Sequence, residues 1–94
     1  TVSLVQSASG AVLDAEALRS RLAGTEVLSV VDVTQAVGWK RLDLGWADVT
    51  VGAVYKWLLA PRGTAWMSLS DRVADAMTPL AGGLVSPRAR PSRW

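Results

Sequence analysis

The 94-residue chain has no cysteine and no histidine. Their absence excludes disulfides, thiol chemistry, a serine–histidine triad and most zinc sites. A cysteine-free chain fits a cytoplasmic location. Long apolar runs are also lacking. The longest, residues 49–60, is too short to span a bilayer and contains Lys56. The N-terminal residues carry no signal-peptide pattern, and no internal repeat is present. The chain opens at Thr1 on a strand-like run, without a methionine, which leads us to expect a start inside a longer protein. Half of the residues are hydrophobic, enough for one small globular domain and too few residues for two.

Charge is unevenly placed. Ten basic residues face eight acidic ones, but Arg88, Arg90 and Arg93 sit together near the end with no acid among them. Without those three, the body carries seven basic and eight acidic residues. The basic character therefore belongs to residues 86–94, a Pro/Arg/Ser tail expected to be disordered and solvated. Such a tail can touch nucleic acid, but the body shows no basic face interleaved with aromatics, so no nucleic-acid partner is expected.

Along the chain, residues 2–6 alternate apolar and polar and read as a strand. After a turn over 7–10, Asp14 caps a helix over 15–22 that stops at Gly24. Residues 26–31 are nearly all apolar, as expected of a strand covered on both faces. Two strands joined by a helix predict a parallel pair with a right-handed crossover. Asp32 and Gln35 fit a capping box for a short helical turn that ends near Gly38. Residues 39–46 read as an irregular connection, and 48–54 as a third strand. A fourth strand over 65–69 follows too soon for a helical crossover, which predicts antiparallel pairing with the third. Ser70 is placed to cap a last helix over 71–77, ended by Thr78 and Pro79. The fold class is thus α/β: a mostly parallel sheet with one antiparallel strand and flanking helices.

Two residues stand out in this frame. Asp32 closes one apolar strand and Lys56 closes another, so a parallel arrangement brings both to the same sheet edge. Open α/β sheets bind ligands at that edge. Asp32 has a plain reading as a helix cap, and Lys56 one as a solvated lysine. The functional readings are a carboxylate aimed at a cationic nitrogen and an amine that attacks carbonyls. Lys56 is flanked by Val54, Tyr55, Trp57, Leu58 and Leu59, company that is expected to desolvate it and favour its neutral, nucleophilic form. The five tryptophans read as packing, and Gly82 and Gly83 alone are a weak phosphate-loop signal.

The run D-V-T-Q-A-V-G from Asp32, followed by Y-K-W-L-L-A-P-R-G-T from Tyr55, resembles the class V aminotransferases, pyridoxal-phosphate enzymes of fold type I. The resemblance covers about residues 2–83, and residues 1–85 would form the central part of the large domain. It implies pyridoxal 5'-phosphate as cofactor and an amino acid as substrate. Lys56 would hold the cofactor as a Schiff base and shuttle the substrate's α-proton. Asp32 would pair with the pyridine nitrogen and keep it protonated. Gln35 would approach the cofactor's phenolic oxygen, Tyr55 its phosphate, and Ser7 falls near a family asparagine that approaches the ring oxygen.

Ala53 departs from the pattern, standing where many members place a phosphate-binding serine. Tyr55 departs too, replacing the histidine of many cysteine desulfurases. The Trp57, Leu58 and Leu59 continuation leans toward epimerase-like and small-molecule aminotransferase members. Family members are several times longer, and their phosphate cup, ring-stacking residue and substrate-carboxylate arginine lie outside the matched stretch. The family also builds its site at a dimer interface, which implies a homodimer. A second reading, from another class, is a non-catalytic piece that keeps the centre of the fold. A piece cut from a larger sheet is expected to be marginally stable alone.

Overall fold

The computed structural model describes residues 1–78; Pro79, Gly82, Gly83 and the 86–94 tail lie outside the described residues. The elements follow in the order β1 (Val2–Ser3), α1 (Ala15–Leu22), β2 (Val30–Asp32), β3 (Val49–Ala53), β4 (Ala65–Leu69) and α2 (Asp71–Ala76). They build one four-stranded sheet in the order β1-β2-β3-β4. The first three strands are parallel, with Val2 opposite Val31 and Asp32 opposite Val51. β4 returns antiparallel to β3 over five residue pairs, from Val49–Leu69 to Ala53–Ala65. The sheet is therefore mostly parallel with one antiparallel pair, as the sequence predicts.

Local chemistry explains the helices. Asp14 Oδ1 accepts the Ala17 N–H at 3.0 Å, a cap of about 1 kcal/mol. Gly24 beyond the C-terminus takes φ 73°, where glycine meets no Cβ penalty. Before α2, Ser70 has extended backbone but makes no side-chain cap bond. Its hydroxyl instead donates to Asp48 Oδ1 at 3.4 Å, so the expected cap is corrected to a tertiary contact.

Three strands are shorter than expected, β3 by one residue at each end and β1 and β2 by more. β2 begins only at Val30, and Val27 and Leu28 are more than half exposed, so residues 26–29 are not a doubly covered strand. The reason lies in the neighbour: β1 offers only Val2 and Ser3 for pairing, matched to Val31 and Asp32. β1 itself ends at Ser3 because Val5 turns away to bridge Val12.

The core is small and sits under the middle of the sheet. Leu4, Val5, Val31, Val33, Ala36 and Ala47 are buried, with Leu13, Ala15, Val37, Leu42, Leu44, Trp46 and Trp66 packed against them. Gly52 is part of this packing. A Cβ there would lie 2.8 Å from the Trp66 Nε1, so the missing side chain is what admits the indole onto β3. No residue of α1 is fully buried. Among the described residues, no helix is long and apolar enough to cross a membrane.

Candidate active site

The carboxyl ends of β1, β2 and β3 share one edge because these strands are parallel. Each end feeds a loop that carries one or two of the polar groups expected in the site. Ser7 follows β1, Asp32 and Gln35 close and follow β2, and Tyr55 and Lys56 follow β3.

The loop after β2 holds the acid. Thr34 N–H donates to Asp32 Oδ1 at 2.8 Å, so the carboxylate caps its own turn. Among the described residues no other hydrogen bond reaches this carboxylate. The turn then winds through Val37 N–H to Val33 O at 2.8 Å and Lys40 N–H to Ala36 O at 3.0 Å. Gln35 does not complete a capping box. Its Nε2 donates to Ser7 Oγ at 2.9 Å, across 28 residues. The structure thus joins Gln35 and Ser7 directly.

The loop after β3 holds the amine. Ala53 N–H donates to Thr34 Oγ1 at 3.0 Å, which ties the end of β3 to the loop bearing Asp32. Lys56 Nζ sits 5.3 Å from the centre of the Tyr55 ring, and the Arg62 guanidinium 5.2 Å from it. Contact of this kind is worth about 0.5–1 kcal/mol at an exposed site. Tyr55, Lys56, Trp57, Leu58 and Leu59 are all exposed. The apolar neighbours of Lys56 therefore do not desolvate it, and that expectation is corrected: they point outward from a turn rather than closing over the amine.

Sequence reasoning missed the packing that joins the two loops. Gly38 takes φ 105°, and a Cβ there would approach the Trp57 Cβ to 3.1 Å and its backbone to 3.2 Å. Trp39 meets Trp57 edge to face at 6.2 Å and donates its Nε1 to Gln35 O at 2.7 Å. Ser7, Gln35, Trp39 and Trp57, with Val5, line a cleft of about 230 Å³. Asp32 and Lys56 do not line it. The available signal was the lone glycine of D-V-T-Q-A-V-G, whose role became visible only through its contact with Trp57.

The opposite edge was also missed. Asp48 Oδ2 accepts from Ser29 N–H at 2.8 Å and Ser29 Oγ at 3.0 Å. Its Oδ1 accepts from Arg72 Nη2 at 2.7 Å and Arg72 Nε at 3.1 Å. The Ser29 N–H bond first, and the Arg72 guanidinium second, hold the Asp48 carboxyl at about 2, below its ordinary 3.8, against an opposing effect of burial. A cavity of about 200 Å³ beside it is lined by Arg19, Trp46 and Arg72 among others. Because Asp48 and Arg72 satisfy each other there, the arrangement is one of stability rather than chemistry.

The comparisons with known proteins bear on the other edge, the one that carries Asp32 and Lys56. The aminotransferase class-V family model matches residues 1–86, and the chain belongs to that family. It is similar to the isopenicillin N epimerase of Amycolatopsis lactamdurans, 37% identical over 77 residues that cover 80% of this chain. Those residues make up 19% of the length of that epimerase. No solved structure matches the chain.

The donor set fits pyridoxal phosphate, the general cofactor of this family. One amine, one carboxylate with a single hydrogen bond, one amide and two hydroxyls lie at or just beyond the carboxyl ends of three neighbouring parallel strands. Ala53 adds no hydroxyl for a phosphate, which leaves Tyr55 as the nearest phenol to Lys56 on that loop.

Proposed function

We propose that this chain carries the lysine and the acid of a pyridoxal-phosphate site that transforms an amino acid. One observation carries the reading: Asp32 and the β3 end that leads into Lys56 are linked through one residue, Thr34, at the ligand-binding edge of a parallel sheet. Family membership and the similarity to an epimerase support it.

When bound, the cofactor supplies an electron-withdrawing ring that stabilises negative charge at the substrate's α-carbon. Lys56 would hold it through its amine, and the same amine would serve as the base and acid for the proton at that carbon. Asp32 would pair with the pyridine nitrogen and keep its proton, for which a carboxylate with spare acceptor capacity is suited. Gln35, oriented by Ser7, would donate toward the phenolic oxygen, and the Tyr55 hydroxyl toward the phosphate. The working enzyme is a homodimer in this reading.

The test uses the two lysines of the chain, Lys40 and Lys56. The protein is mixed with pyridoxal phosphate, reduced with borohydride and digested to map the labelled lysine. Label concentrated on Lys56 and abolished by Lys56→Ala is expected. Equal label on both lysines, or on neither, overturns the reading.

A further inference from the structure

Thr34 touches both halves of the site, and the functional reading gives its side chain no chemical role. Its backbone N–H is bonded to Asp32 Oδ1 at 2.8 Å, and its hydroxyl oxygen accepts the Ala53 N–H at 3.0 Å. Ala53 is the last residue of β3 and stands three residues before Lys56. The sheet ladder cannot supply this link. Asp32 is the last residue of β2 and its partner is Val51, so regular pairing stops two residues short of Ala53. Val33 N–H extends it once, to Val51 O at 2.8 Å. Thr34 then takes over with a side chain where the backbone of its loop has already turned away.

We propose that Thr34 is a positioning residue that fixes the Asp32 carboxylate and the base of the Lys56 turn as one unit. The inference rests on the functional reading given above. Two properties of threonine are used. The hydroxyl is an acceptor that can reach a neighbouring strand end, and β-branching at χ1 keeps it in one orientation. Valine has the same shape without the acceptor. It leaves the Asp32 bond to the backbone N–H possible, but gives the partly buried Ala53 N–H no partner. Serine restores the oxygen with a freer χ1.

The experiment compares the wild-type chain with Thr34→Val and Thr34→Ser. It measures the Lys56 to Lys40 ratio of borohydride-fixed pyridoxal phosphate and the hydrogen exchange of the Ala53 amide. In Thr34→Val the label ratio is expected to fall, and the Ala53 amide to exchange faster, each by about three- to tenfold, the equivalent of one neutral hydrogen bond. Thr34→Ser is expected to recover most of both. A purely structural threonine would change amide exchange while leaving the label ratio intact, and that result overturns the proposal. So does a Thr34→Val chain that matches wild type in both readouts. If Thr34→Val does not fold, Thr34→Ala, which also removes the acceptor, is read in its place, and a wild-type label ratio there overturns the proposal. A wild-type chain with no preference for Lys56 defeats the functional reading itself. The site inference alone falls when wild type prefers Lys56 and the variants do so equally.

Discussion

Two aspartates stand at opposite ends of the sheet, and they are treated in opposite ways. Asp48, before β3, is buried and accepts five hydrogen bonds from Ser29, Ser70 and Arg72. Asp32, at the end of β2, is only partly buried and accepts one, from the next turn of its own loop. A carboxylate has room for about four acceptor sites, so Asp48 is saturated and Asp32 is not. The saturated acid clamps β2, β3 and α2 together. The unsaturated one keeps spare acceptor capacity, which the proposed function assigns to a group outside the chain.

The contrast can be broken by substitution. Asp48→Ala is expected to have the largest effect, because it leaves the buried Ser29 N–H and O–H without their acceptor and frees Arg72 in one step. Urea unfolding of this variant should show the lowest midpoint of any single change proposed for the chain, or no cooperative transition at all. The contrast sharpens with acid. Asp48 is held at about 2 in the folded chain against an ordinary 3.8. A depressed carboxyl stabilises the fold above its unfolded value, and that contribution is lost as pH falls from near 3.8 toward 2. Thermal midpoints should therefore decline over this interval in the wild type, and the decline should be shallower in Asp48→Asn. The smallest effect is expected of Asp32→Asn. Its amide oxygen still accepts from Thr34 N–H, so the unfolding free energy from urea titration should change by no more than about 0.5 kcal/mol. The same change should weaken pyridoxal-phosphate labelling at Lys56, since an amide cannot hold the pyridine nitrogen's proton.

Elements punctuated by local chemistry were legible in the sequence. The α1 helix occupies Ala15–Leu22 and β4 occupies Ala65–Leu69, the residues predicted, because Asp14, Gly24, Pro61 and Gly63 mark their ends within a few positions. The antiparallel return followed from the short connection between β3 and β4. What depended on a distant partner was not legible. Residues 26–28 look like strand, yet regular pairing starts only at Val30, because β1 begins opposite Val31 and β3 opposite Val30. Gln35 looks like half of a capping box, yet it reaches Ser7. Ser70 looks like a cap, yet it turns to Asp48. In each case two local and non-local partners competed for one side chain, and only the folded chain shows which won. The candidate site divides the same way. The family motif carried Asp32 and Lys56, whereas Thr34, Gly38 and Trp57 act through contacts made across 19 residues.

The excursion from β3 to β4 is closed at its base by Val54 N–H to Thr64 O at 3.2 Å, and within by Ala60 N–H to Val54 O at 3.1 Å and Leu59 N–H to Lys56 O at 3.2 Å. The backbone that bears the amine is therefore already a closed ring on a five-residue ladder. Its chain entropy was lost when the hairpin formed, at a cost that grows only slowly with loop length. In the proposed site an aldehyde would meet an amine whose main chain has little further to lose, only the four-carbon side chain being free to search. Pre-ordering of this kind lowers the entropic cost of binding and leaves the amine's exposure to water unchanged.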